Sequence, residues 1–312
     1  MITKMLSELK GEELEALLSR DVGISEVLAA VNEIILEVEK KGDEALFALT
    51  EKFEGAALDD LLVSEEEIEA AYEMVDERLL EALSNAADNI YQFHRLQKER
   101  QLWMTEIAPG VTVGQKTVPI ESVGAYVPGG RASYPSSALM NIIPAKVAGV
   151  SRVAMCTPPK KDGSITPLTL VAADKAGADE IYKLGGAQAI AAMALGTESV
   201  PRVQKIVGPG NVYVTAAKMI LRGSVEIDFP AGPSEVFILA DRSADPGAIA
   251  ADMIAQGEHD PRSISVLVAL DDLLASAVIE ELSIQAAVAA RKEIIEQSLD
   301  HSAVLVADDM DQ

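Results

Sequence analysis

A chain of 312 residues with 49% hydrophobic side chains can bury a core without staples, as two domains or one large α/β domain. Its one cysteine excludes an intrachain disulfide framework and fits a reducing, cytoplasmic setting. A net charge of -24 disfavours nucleic acid and anionic membrane surfaces as partners, and no apolar run approaches spanning length.

The N-terminus, Met1-Ile2-Thr3-Lys4-Met5, reads as the opening of a charged helix and not as a signal peptide. Residues 1 to about 104 read as helical. From Ile24 to Lys40 the apolar residues Val27, Leu28, Val31, Ile34, Ile35 and Val38 form a helical stripe. Ser64-Glu65-Glu66-Glu67 is a capping box ahead of Ile68, and a second long helix runs toward Leu96. Near Val111 the pattern changes to a β-rich stretch that continues to Val127. Helices are then predicted at 136–148, 167–176, 187–195 and 212–221, alternating with strands at 152–156, 180–183, 205–207 and 225–228. Beyond the Phe229-to-Glu235 turn come strand 236–240, helix 246–255, strand 265–269, one long helix from about 273 to 297, and strand 303–307.

Short strands alternating with helices predict parallel sheets with helices on their faces. The Gly/Pro turn at 229–235 divides them. The expected organisation is an N-terminal helical segment (1–24), an outer α/β domain (25–120 plus 235–312) and an inserted one (121–234).

No strand is followed by Gly-x-Gly-x-x-Gly, so a dinucleotide is expected to bind more weakly than in ordinary Rossmann dehydrogenases. Three other small-residue turns close predicted strands: Tyr126-Val127-Pro128-Gly129-Gly130, Gly185-Gly186-Ala187-Gln188 and Gly208-Pro209-Gly210-Asn211. All fall at the C-terminal edge of a parallel sheet, where ligands bind. There Tyr126 could stack on or hydrogen-bond a cofactor, and Gln188 and Asn211 could hydrogen-bond an amide or a ribose. With so negative a chain, an anionic cofactor must be held by backbone N–H groups and helix N-termini.

Gln256-Gly257-Glu258-His259 carries one of only three histidines. Gln256 and His259 are three apart, so their donors fall on one helix face. Zinc usually takes four ligands, and this stretch offers two or three. Cys156 ends a strand and has no histidine near it in sequence, so it reads as a small buried hydrophobe and not as a nucleophile.

These motifs resemble histidinol dehydrogenase. The resemblance rests on 123–130 (Val-Gly-Ala-Tyr-Val-Pro-Gly-Gly), 185–192, Gly208-Pro209-Gly210-Asn211, Pro230-Ala231-Gly232-Pro233-Ser234-Glu235 and Gln256-Gly257-Glu258-His259. It is collinear and covers essentially the whole chain. It implies two incomplete Rossmann-like domains, a homodimer, and a zinc-dependent enzyme that oxidises L-histidinol to L-histidine in two NAD-linked steps. It further implies NAD contacts at Tyr126, Gln188 and Asn211, and a substrate contact at Ser234. Gln256 and His259 are implied as zinc ligands that also touch substrate. The family's catalytic Glu-His pair and two more zinc ligands would lie beyond residue 312, so none is present. The chain as it stands is expected to hold zinc poorly and to be inactive. The same motifs also suit a related dehydrogenase of another polar alcohol, such as a sulfonated propanediol, or a non-catalytic scaffold.

Overall fold

A strand with apolar side chains on both faces needs a helical layer on each. The segment Ser122–Tyr126 is of that kind, buried along its whole length. The computed structural model describes residues 1–18, 24–98, 100–129, 133–230 and 235–309.

In chain order the elements are β1 (Ile2–Met5), α1 (Gly11–Leu18), α2 (Ile24–Lys41), α3 (Asp43–Glu54), α4 (Glu65–Met74) and α5 (Glu77–Gln97). Then come β2 (Leu102–Ala108), β3 (Val111–Lys116), β4 (Ser122–Tyr126), α6 (Pro135–Ala148), β5 (Arg152–Thr157), α7 (Pro167–Ala176) and β6 (Glu180–Lys183). These are followed by α8 (Gly186–Leu195), β7 (Lys205–Val207), α9 (Val212–Leu221), β8 (Glu226–Ile227), β9 (Glu235–Ala240) and α10 (Pro246–Gly257). The last are β10 (Ile264–Ala269), α11 (Asp272–Val288), α12 (Lys292–Asp300) and β11 (Ala303–Val306). Residues 23–230 make one compact unit, and residues 1–22 with 231–312 make another.

In the 23–230 unit, β4 to β8 form a parallel sheet of order β6-β5-β4-β7-β8. The period of two along each strand sorts its side chains. Val123, Ala125, Val153, Met155 and Ile181 enter a core shared with α6 and α7, on which α5 and α4 pack. Tyr126, Ala154, Cys156 and Tyr182 enter a second core shared with α8, α9, α2 and α3. The antiparallel hairpin β2–β3 belongs to the same unit and is exposed at every position.

In the other unit the sheet order is β1-β11-β10-β9, again parallel. One core of this unit joins Leu267, Val304 and Val306 to Ile249, Met253 and Val278 of α10 and α11.

Four details differ from the sequence reading. Residues 2–5 are a strand, not the start of a helix: Ile2 to Met5 pair with Ala303 to Val306. A four-residue segment gains more from completing a sheet edge than from an isolated turn of helix. The helical reading to residue 104 overruns β2, whose partner β3 lies beyond its turn. The single helix expected over 273–297 is two, broken at Ala289, which is extended at φ -70, ψ 141. No Gly or Pro marks that break; it lets α12 pack on α10 and β10. Finally, the expected outer domain puts residues 25–120 with 235–312, whereas α2 to α5 pack on α6 to α9 of the 23–230 unit. Their apolar stripes are what close the two faces of that sheet.

Candidate functional site

Because β4 to β8 are parallel, their C-terminal ends share one edge. The chain runs outward from β4 through β5 to β6, then returns to β7 on the other side of β4. The loops leaving β4 and β7 therefore lead to helices on opposite faces of the sheet, the kind of reversal at which parallel sheets take ligands.

Tyr126 ends β4. It is 3% exposed, and its hydroxyl accepts a hydrogen bond from Gly186 N at 3.1 Å. Burial pushes its phenol far above the ordinary value, so it stays neutral with a proton to donate. Gly208, after β7, has φ +114, and a Cβ there would collide with the Tyr126 carbonyl. Only glycine permits this approach. The Gly208 backbone is held from both sides: its N–H donates to Asp228 Oδ2 at 2.8 Å, and its carbonyl accepts from Lys218 Nζ at 2.9 Å. Lys218 is buried and ion-paired with Asp228. Asn211 caps α9, its Oδ1 accepting from Tyr213 N at 3.0 Å and Val214 N at 3.1 Å.

Gln188 lies in the first turn of α8 and is 1% exposed. Its Nε2 donates to the Glu54 carboxylate at 3.3 and 3.4 Å. Burial raises the Glu54 carboxyl to about 7, against the opposing pull of the Gln188 bond. Thus Tyr126, Gln188 and Asn211 do share one edge, although Tyr126 and Gln188 are turned onto protein partners. Dinucleotide fits this edge: the strand order reverses there and two helix N-termini open on it.

Glu54, Lys218 and Asp228 were not singled out as site residues in the sequence reading. Glu54 sits in the acidic run Glu51-Lys52-Phe53-Glu54, which looks like any solvated helix end. Asp228 directly precedes the Phe229-to-Glu235 turn, and that adjacency is its only signal in the sequence. Cys156 is buried and its thiol is pushed far up by burial, as a small core residue's should be.

A cavity of about 780 Å³ opens at the opposite edge of this sheet, by the strand starts. Its Arg152 donates to the Arg202 carbonyl at 2.7 Å, and Arg202 to the Ser224 carbonyl. These guanidinium groups brace the strand starts, and the signature residues line another edge.

Gln256 and His259 belong to the other unit. Gln256 is in the last turn of α10 and half-buried; His259 is exposed, its N–H donating to the Gln256 carbonyl at 3.4 Å. Among the described residues, no group of three or more His, Cys, Asp or Glu could hold a metal ion. One amide and one imidazole are not a zinc site by themselves. Ser234 lies outside the described residues.

A sequence model of the histidinol dehydrogenase family matches residues 18–312. Histidinol dehydrogenase from Methanosarcina barkeri (strain Fusaro / DSM 804) is 54% identical over 312 residues, 100% of this chain and 72% of the relative. The enzyme of that name from Methanothermobacter thermautotrophicus is 51% identical over 283 residues, 91% of this chain and 66% of the relative. The crystal structure of histidinol dehydrogenase from Elizabethkingia anophelis superposes with a TM-score of 0.90 at 38% identity, covering 99% of this chain and 71% of that one.

Proposed function

The chain belongs to the histidinol dehydrogenase family, and on that premise we propose that its reaction is the NAD-linked oxidation of L-histidinol, through the aldehyde, to L-histidine. The observation that carries the cofactor assignment is the meeting of Tyr126, the Gly186 turn and Gly208 where the strand order reverses. NAD bound at that edge supplies the hydride acceptor. Tyr126 keeps its proton and offers it as a donor. Asn211 spends its oxygen on the N-terminus of α9, which leaves its amide nitrogen for a ribose or amide acceptor. Gln188 contributes its carboxamide once it leaves Glu54. Ser234 is proposed as a substrate contact. Gln256 and His259 are proposed as substrate contacts and as part of a zinc site that needs further donors.

Among the described residues, no helix is long and apolar enough to cross a membrane. The lone buried cysteine supports residence in the cytoplasm. Two copies are proposed to pair, supported by the apolar hairpin β2–β3, which its own unit leaves uncovered.

Calorimetric titration with NAD tests the cofactor edge. Gln188→Leu and Asn211→Ala are each expected to weaken binding about tenfold, or about 1.4 kcal/mol. Affinity unchanged in both variants would overturn the assignment of this edge. Titrating L-histidinol and a sulfonated propanediol into the NAD-loaded protein separates the two substrate classes, with histidinol expected to bind.

A further inference from the structure

Glu54 is the last residue of α3, and its side chain reaches the Gly185–Gly186 turn that opens α8. A Cβ on Gly185 would collide with Glu54 Oε1 and stand 2.6 Å from Pro158 Cβ, so carboxylate and turn are in direct contact. Three residues further on, Gln188 Nε2 donates to both carboxylate oxygens, at 3.3 and 3.4 Å. Gln188 Oε1 lies over Gly186, where a Cβ would come within 2.8 Å of it. The carboxamide is therefore held on the protein: its nitrogen donates to Glu54, and its oxygen lies against the turn.

Several titratable or charged groups surround Glu54. Tyr126 faces it from β4, with Cys156 of β5 behind. Lys161, from the loop after β5, packs its Cγ 3.7 Å from where a Gly55 Cβ would stand. On its own helix, Lys52 lies over the Phe53 ring. Among the described residues no lysine or arginine is paired with Glu54. Its burial without a cation is what lifts its carboxyl to about 7.

We propose that Glu54 is a positioning residue of the cofactor edge: ionised, it holds the Gln188 carboxamide on the protein, and on taking a proton from solvent it releases that carboxamide to the dinucleotide. The inference rests on reading this edge as a dinucleotide site. A carboxylate only accepts, and it accepts a charge-assisted bond from Nε2; a neutral carboxyl forfeits that strength and gains a donor of its own. A pyrophosphate arriving at the N-terminus of α8 disfavours a second anion beside it, so binding draws the proton onto Glu54.

Two measurements on the 312-residue chain test this. The first needs no dinucleotide. The Glu54 carboxyl carbon and the Gln188 side-chain amide are followed by NMR from pH 5.5 to 8.5. Both are expected to move with one shared midpoint near 7. Glu54→Gln should abolish the Gln188 shift; Glu54→Asp keeps a titrating acid but withdraws it from Gln188, and should also leave those signals still. An ordinary Glu54 midpoint, or a Gln188 signal that ignores it, overturns the proposal. The second is calorimetry with NAD in buffers of different ionisation enthalpy. Wild type should take up protons on binding at pH 7.5, and its affinity should fall up to about tenfold between pH 6 and 8, the equivalent of one pKa unit of linkage. Glu54→Gln should show neither effect. Proton uptake that survives in this variant overturns the role of Glu54. No NAD binding at any pH overturns the dinucleotide reading and the release step with it, while the NMR result separately decides whether Glu54 governs Gln188.

Discussion

At the scale of single residues, an acid lifted by burial has a signature opposite to that of a salt-bridged one. The Glu54 carboxyl stands at about 7 in the folded chain against an ordinary 4.5. Between these values the folded state binds more protons than the unfolded one, so stability falls as pH rises. The contribution is full below 4.5 and is lost as pH passes through about 7. Thermal unfolding between pH 5 and 8 should therefore show a steeper loss in wild type than in Glu54→Gln; parallel curves would contradict this. The half-buried Glu13 and the exposed Asp162 and Asp241 are shifted down by their hydrogen bonds, so their windows lie below this range. Tyr126, Gln188 and Asn211 stand out in the sequence as candidates because each lies beside a Gly-rich turn at a strand end, and the structure places all three at one sheet edge. Glu54 is not, because nothing in an acidic helix end says which carboxylate will be covered.

At the scale of elements, legibility follows local chemistry. The capping box of α4 is read from four residues and is present as read: Glu67 N donates to Ser64 Oγ at 3.3 Å, and Ser64 N to Glu67 Oε2 at 3.0 Å. Ser64→Ala should cost about 1 kcal/mol in urea unfolding. α4 packs on α7, and its Glu67 also pairs with Lys183 at the end of β6 at 2.8 Å; Ser64→Ala leaves that pair in place, so NAD affinity should be unchanged, and a joint loss of both would tie the cap to the site. Strand β1 and the break between α11 and α12 have no such local mark. One depends on a partner strand 301 residues away, Ile2 beside Ala303. The other depends on what α12 packs against.

At the scale of the whole molecule, the hairpin β2–β3 is the feature in need of a partner. Leu102 is 59% exposed, Met104 64% and Ile107 63%. An isolated two-stranded ribbon is marginal in water. Pairing of two copies would cover it, and that apolar burial has to outweigh the repulsion between two chains of net charge -24. Sedimentation equilibrium is expected to give the mass of two chains, and Leu102→Ser combined with Ile107→Ser to shift it toward one. A single-chain mass at every concentration would rule out pairing.

Sequence alone determined what is carried by periodicity and turn chemistry: α/β class, most elements of the alternating region, and the glycine turns at strand ends. These are properties of neighbouring residues, and a few positions suffice to state them. Tertiary structure alone decided which unit α2 to α5 join, that residues 2–5 complete a sheet, and that Glu54 lies against Gln188, 134 residues on. Each of those depends on which surfaces meet when two distant segments bury the same apolar face, and that pairing is settled by the packing of the assembled sheet and helices.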